Sequence, residues 1–375
     1  MATRIHVRPE MLTWAIARAG FDLPEFVEKN PKVAEWIDGK KQPTVKQLEN
    51  FSKKVFIPFG YLLLPDPPNE ELPIPYFRTN GGGSDKIHIN VYDTILNIRQ
   101  RQEWLIDYLR DNEFKKLDFV GRFNENSDVE TIVADIRREL NLDEQWASHF
   151  ATWEEARKHL ANTIESIGVV IVFNGVVENN THRPIPVDEC RGFVLVDEIA
   201  PFMFINNSDW KSAQMFTMIH EIAHIWTGES AGFDFKNFLP ANDPIEILSD
   251  KVAAEFLVPQ KSFLEMYTPQ KGYQAIARHF KVSEIVIARR ALDLGVISRK
   301  EFFAFYNEYS QREFIKKENQ GSGGDFFATA NWRVSLSFAA HVKNALNNGQ
   351  LLYRDAYRLT NLKGDTFSKF LSTQL

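Results

Sequence analysis

Residues 218–226 read MIHEIAHIW, and the HEIAH inside that run places His220, Glu221 and His224 within five positions. Two histidines four apart project from the same face of a helix, one turn apart, so both imidazoles can reach a single cation. The glutamate beside the first histidine points toward the neighbouring water position instead of the cation. From there it can take a proton from an attacking water and later give it to a leaving amine. That is the chemistry of H-E-x-x-H on a helix. The bland alternative is a helix whose histidines are satisfied by ordinary hydrogen bonds.

The flanks decide between these readings. Phe216, Met218, Ile219, Ile222, Ala223, Ile225 and Trp226 surround the motif. A helix apolar nearly all round is buried, and two histidines and a glutamate buried in it need partners. A divalent cation supplies one. The run 209–228 predicts a helix capped by Ser208 or Asp209 and stopped by Gly228. Before it, GVVIVFN (168–174), RGFVLVDE (191–198) and PFMFINN (201–207) read as strands of one sheet. An edge of such a sheet could hold an extended peptide by strand addition. After it, 228–244 reads as a loop and IEILSDKVAAEFLVP (245–259) as a helix ended by Pro259. Glu246, 22 residues beyond His224, is available to complete a His₂Glu site with an open water position. On spacing alone Glu229, Asp234, Asp243, Asp250 and Glu255 qualify too, Glu229 least because it lies so near the helix end.

Further out, the first 68 residues predict a compact helical bundle. PEMLTWAIARAG (9–20), LPEFVEK (23–29), NPKVAEWIDG (30–39) and a helix after the cap Thr44 carry it, and LPDPPNEELPIP (64–75) ends it. An extended PYFRTNGGGSD stretch and helices near 88–112, 129–141 and 152–166 lead to the strands. GGG (81–83) has no following Lys-Ser/Thr and reads as a link, not a phosphate loop. GYQAIARHFKVSEIVIARRALDLGVIS (272–298) predicts two helices joined near Lys281–Ser283, and a polar link, KKENQGSGGD (316–325), precedes a last helical module. With 375 residues, 44% hydrophobic, and 30 Phe and 8 Trp, the chain has material for two or three cored domains. A net charge of −6 argues against coating nucleic acid over the whole surface. The lone Cys190 suits a reducing compartment and reads as packing, not as a nucleophile. The N-terminus shows no signal-peptide pattern and the apolar runs are too short to span a membrane, so the expectation is a cytoplasmic chain without membrane contact.

FTMIHEIAHIWTGES followed by EILSDKVAAEFLVP resembles the ImmA/IrrE family of metallo-endopeptidases. The family pattern is F-T-x-x-H-E-[IL]-x-H, then E-x-x-[CA]-[ND]-x-x-A-A-x-[FL]-L-x-P. The likeness is close from Phe216 to Pro259 and looser over 70–300. It departs at Ser249, where Cys or Ala is usual, and has Asp250 where Asn is common. The resemblance implies that His220, His224 and Glu246 are metal ligands and Glu221 the general base. It implies zinc, with manganese as the alternative. It also implies an α+β fold, mainly helical, in which a zincin-like domain (small sheet plus HExxH helix) is flanked by helical modules. Residues 1–68 resemble an Xre-type helix-turn-helix module through Pro9, Leu12, Ala17, Gly20, Trp36, Gly39, Pro43, Thr44 and Leu48. The organisation expected is that module (1–68), the peptidase domain (69–260), a second helix-turn-helix-like unit (261–315) and a C-terminal helical module (325–375).

Two functions follow. In the first, the chain is an endopeptidase that cuts a cytoplasmic regulator, a repressor or a co-encoded toxin–antitoxin component. In the second, it is a non-enzymatic transcriptional regulator or antitoxin-like partner whose metal site is structural or vestigial. Glu221 favours the first, since holding a metal does not require it. DNA is a partner open to either helix-turn-helix unit. Residues 1–68, however, carry 10 Lys/Arg against 8 Asp/Glu, which leaves almost no electrostatic footprint. Arg289 and Arg290 make the second unit the more basic of the two.

Overall fold

The computed structural model describes residues 3–68, 76–77, 87–233, 243–268, 272–312 and 326–375. Two compact units separate: Met1–Pro73 with Ser84–Tyr92, and Ile74–Gly83 with Asp93–Leu375.

In the first unit, α1 (Pro9–Arg18), α2 (Leu23–Lys29), α3 (Pro31–Ile37) and α4 (Val45–Lys54) precede a 3₁₀ turn at Phe59–Leu63. Thr44 caps α4 as its sequence predicts. Its hydroxyl accepts from the Gln47 amide, and the Gln47 side chain accepts from the Thr44 amide, a reciprocal capping box. Met11, Leu12, Ile16, Trp36, Leu48 and Phe51 form a core belonging to this unit. Lys29, Lys40, Lys41 and Lys46 each pair with an acid of their own surface, Glu25, Asp38, Glu35 and Glu49 respectively.

The second unit is α+β and mainly helical. Its elements are β1 (Tyr76–Phe77), α5 (Ile89–Asp111, the first four residues grouping with the other unit), α6 (Val129–Leu140), α7 (Trp153–Ser166), β2 (Val170–Asn174), β3 (Gly192–Leu195) and β4 (Phe202–Asn206). Then come α8 (Lys211–Thr227), β5 (Ala231–Phe233), α9 (Pro244–Leu257), α10 (Gln260–Met266), α11 (Tyr273–Phe280), α12 (Glu284–Asp293) and α13 (Arg299–Gln311). The chain closes with α14 (Phe326–Val334), α15 (Leu336–Asn347), α16 (Tyr353–Thr360) and α17 (Gly364–Thr373). The strands form one sheet in the order β1-β5-β3-β4-β2, with β3 antiparallel to both neighbours. Every residue of β2, β3 and β4 is buried, so both faces of the sheet are covered there. Helix α8 packs on β3 and β4, and α14 packs on β2 through an edge-to-face contact of Trp332 with Phe173.

The ends of α8 explain its placement. Its last-turn carbonyls find donors in a neighbouring loop: the Gly121 amide donates to the Ile225 carbonyl (3.0 Å) and the Phe123 amide to that of Trp226 (2.9 Å). Gly228 closes the helix at φ +81°, where a Cβ would also lie 3.1 Å from the Gly121 Cα. Trp226 stacks on Phe119 and donates its indole N–H to Asp135 (2.9 Å), a carboxylate also held by Arg122 and Arg138. The other end differs from expectation. Neither Ser208 nor Asp209 caps the helix; Trp210 is the N-cap and no side chain bonds there. The Asp209 carboxylate is already committed, accepting from the Trp210 amide (2.8 Å) and pairing with Arg191 (3.3 Å).

The region expected to be a loop, 228–244, contains β5, paired antiparallel to β3 and parallel to β1. Three residues carry no readable period, and pairing with a distant strand is what defines them. Helix α9 starts one residue earlier than expected, at Pro244, and ends at Leu257. Helices α11 and α12 meet at Lys281 (φ +54°), and Ile276, Phe280, Ile287 and Ala288 enter the same core as Ile219, Val252 and Phe256. Arg290 is buried; its Nε donates to the Val258 carbonyl (3.0 Å) and its guanidinium pairs with Glu255. Cys190 is buried, its sulfhydryl near the Gly192 carbonyl. The GGG link (81–83), the 316–325 link and Asp234 lie outside the described residues.

Candidate metal centre

The i, i+4 spacing on α8 is met by an equal spacing on α9. Helix α9 begins with Asp243, whose carboxylate accepts from the Ile245 (2.9 Å) and Glu246 (3.4 Å) amides. That cap fixes the first turn of α9 and with it Glu246. One turn later stands Asp250. Because α8 and α9 pack side by side, Glu246 reaches the Nε2 side of His220 while Asp250 reaches its Nδ1 side.

The distances are short and mutual. His220 Nε2 lies 3.1 Å from His224 Nε2, and Glu246 presents Oε2 3.2 Å from the first and Oε1 3.2 Å from the second. His220 and His224 are fully buried and Glu246 is 1% exposed. His220 Nδ1 is 3.0 Å from Asp250 Oδ1. With the ring proton donated there, Nε2 turns its lone pair inward, the arrangement that orients a ligating histidine.

These donors fit a metal. Two imidazole nitrogens and a carboxylate converge on one point, all inside a 4.8 Å spread. A tetrahedral site with bonds of about 2.0–2.1 Å sets its ligand atoms roughly 3.3 Å apart, close to the separations observed. Lone pairs facing one another in a buried space need a positive charge between them. A proton on His220 is one such charge. Burial opposes that charge, but hydrogen bonds to Asp250 and Glu246 outweigh the burial and raise the His220 pKa. Burial pushes the Glu246 carboxyl up, but hydrogen bonding and charge from His220 and then His224 hold it below its ordinary range. Burial, with the neighbouring His220 charge, lowers His224.

Glu221 stands beside this triangle and differs from it. It is fully buried, and among the described residues neither carboxylate oxygen has a hydrogen-bond partner. Burial first, then the Glu246 charge, pushes its pKa up to about 8, with His220 opposing. The start of β3 covers it. A Cβ on Gly192 would strike the Thr217 methyl at 2.5 Å and the Phe204 carbonyl at 2.9 Å, and would lie 3.4 Å from Glu221 Oε1. Only glycine lets β3 come this close.

Of the other carboxylates that spacing allowed, none among the described residues joins the cluster. Asp243 is a helix cap, Glu255 pairs with Arg290, and Glu229 is exposed beyond the end of α8. Asp250 instead supports His220 from behind. That role was not read from the sequence, though its position four residues after Glu246 was a usable signal. Gly192 was also missed.

Residues 164–292, from the last turn of α7 to α12, match the family model described as the IrrE N-terminal-like domain, Peptidase M78. Residues 334–373, which cover α15 to α17, match a domain of unknown function, DUF8813. No curated protein matches the chain. The His220, His224 and Glu246 cluster therefore lies inside the stretch that matches the IrrE N-terminal-like domain model.

Proposed function

We propose that the chain is a metal-dependent endopeptidase of the cytoplasm that cleaves a regulatory protein, a repressor or a toxin–antitoxin component encoded with it. One observation carries the reading. Glu221 is a fully buried carboxylate without a hydrogen-bond partner among the described residues, next to three convergent donors. Leaving such a group unmatched costs roughly 1–3 kcal/mol or more. A purely structural metal site has no use for it.

A divalent cation held by His220, His224 and Glu246, zinc first and manganese second, supplies Lewis acidity toward the peptide carbonyl. The chain's own groups do the rest. Glu221 Oε accepts a proton from the attacking water and later delivers it to the departing amine. Asp250 keeps the His220 ring turned, and Gly192 leaves Glu221 the room to move a proton. The N-terminal module serves a protein contact better than DNA, because acids paired to Lys29, Lys40, Lys41 and Lys46 cancel its field. Among the described residues no helix is long and apolar enough to cross a membrane.

The test is Glu221→Gln in the full chain, with metal content and cleavage of the neighbouring gene product measured together. Retained zinc and a loss of rate of about 10²–10⁴-fold are expected. Equal cleavage by wild type and variant, or no cleavage by either, overturns the reading.

A further inference from the structure

Arginines of α5, α14 and α16 meet away from the metal centre. Arg101 of α5 is 4% exposed; Arg333, in the last turn of α14, is half-buried, and Arg358 of α16 is exposed. Hydrogen bonds close a ring through two of them. Arg101 donates from Nη1 to the Arg333 carbonyl (2.9 Å) and from Nη2 to the Asn361 side-chain oxygen (3.0 Å). The Asn361 carbonyl accepts from the Asn179 side-chain amide (2.8 Å), and the Asn179 side-chain oxygen accepts from Arg333 Nη1 (3.3 Å). Arg358 joins beside Arg101, donating from Nε (2.7 Å) and Nη2 to the Gln100 side-chain oxygen. The Gln100 and Asn361 amides are oriented with their oxygens toward the guanidiniums.

Every acceptor in this group is neutral. Other arginines of the same helices are matched, Arg99 by Glu103 and Arg354 by Asp355. Among the described residues, no carboxylate lies within ion-pair distance of Arg101, Arg333 or Arg358. Glu178 acts on Arg101 from farther off, and burial outweighs it, lowering the Arg101 pKa to about 10; burial lowers Arg333 as well. Arg101 Nε is buried and has no partner among the described residues. Like charges gathered on neutral oxygens repel one another, and an enclosed cation without a counter-charge is costly. An anion removes both penalties. The planar guanidinium fork matches phosphate oxygens two at a time. Arg101 closes the inner side of the group, while Arg358 and Asn179 stand at the surface, where a ligand can enter.

We propose that Arg101, Arg333 and Arg358 bind a phosphate dianion, free or carried as the monoester of a small molecule. Asn179 follows β2 inside the 164–292 match, and Arg358 and Asn361 belong to the 334–373 match. The ligand therefore ties the C-terminal module to the sheet. No residue of the metal centre takes part, so the site is independent of the peptidase reading.

The full chain is titrated by calorimetry with inorganic phosphate, and separately with adenosine 5′-monophosphate, at constant ionic strength set with potassium chloride. Arg358→Gln and Arg333→Gln are compared with Arg354→Gln, which removes a matched arginine from the same helix as Arg358. Arg101 is left in place because its loss threatens folding, and two test variants guard against a defect in one. Saturable binding by the wild type supports the site when either folded test variant weakens it about tenfold or more and Arg354→Gln leaves it unchanged. Tighter binding of the nucleotide then assigns an organic phosphate, and equal or weaker binding assigns the free ion. Saturable binding of neither probe, binding unchanged in both test variants, or equal weakening in all three overturns the proposal. A wild type that binds neither probe, with test variants that only melt lower, makes the group a structural clamp on α14 and α16.

Discussion

Two of the three carboxylates on helix α9 have opposite fates. Glu255, near its end, is matched: Arg290 pairs with it and also donates to the Val258 carbonyl, and the Gln260 amide adds a bond. Glu246, in its first turn, faces two imidazole nitrogens 3.1 Å apart, beside a Glu221 that no described residue hydrogen-bonds. Both are polar groups drawn out of water in one packed core. A buried charge whose every demand is met by protein fixes architecture. A buried set whose demands stay open is poised for something from outside.

The comparison breaks first, and with the largest effect, at Arg290. Arg290→Met leaves the Glu255 charge and the Val258 carbonyl without their donor. The expected loss is about 2–4 kcal/mol of unfolding free energy, below that of a fully enclosed pair because Glu255 keeps 18% of its side chain exposed. Adding Glu255→Leu should return most of it, since a well-packed apolar pair replaces a buried ion pair at little cost. Zinc per chain should not change in either protein. Urea unfolding and metal analysis on the same samples decide the matter; a zinc loss that tracks the Arg290 substitution would mean that the two ends of α9 are not independent.

At the other end of α9 the effect falls on metal binding and not on stability. Asp250→Ala should leave urea stability nearly unchanged and weaken zinc binding by about 10–100-fold, the usual effect of removing a histidine's supporting acceptor. Asp250→Asn, which keeps an acceptor for His220 Nδ1, should recover part of that affinity. Chelator competition reads both. Equal affinity in wild type and Asp250→Ala would remove Asp250 from the support of His220.

Local signals explain what the sequence made legible. His220 and His224 follow from a four-residue period, Thr44 from its Gln47 partner, and Gly228 from the end of an apolar run. The fold class follows from three strands before a buried helix. Glu246 was chosen by resemblance, because spacing left several carboxylates open. It took the packing of α8 on α9 to bring Glu246 in and to put Asp250 behind His220. Strands β1 and β5 have two and three residues, too few for any period. The cap expected at Asp209 failed because Arg191, 18 positions upstream, had claimed its carboxylate. Each miss lies where a distant partner outweighs a neighbour.

The smallest effect belongs to a third carboxylate, the half-matched Glu165 of α7. It accepts from Ser335 and Ser337 at the start of α15, yet burial outweighs those bonds and holds its carboxyl above the ordinary range. With the folded pKa raised, the native chain keeps a proton that the unfolded chain gives up. Stability from this site is therefore fully present below the unfolded value of about 4.3 and declines as pH rises through the folded value. Glu165→Gln keeps an acceptor for Ser335 and removes the decline. The variant should melt slightly higher than wild type at pH 7, and the difference should shrink toward pH 4. An equal difference at both pH values would place the effect in packing, and Glu165 would then side with Glu255 as a fully matched group.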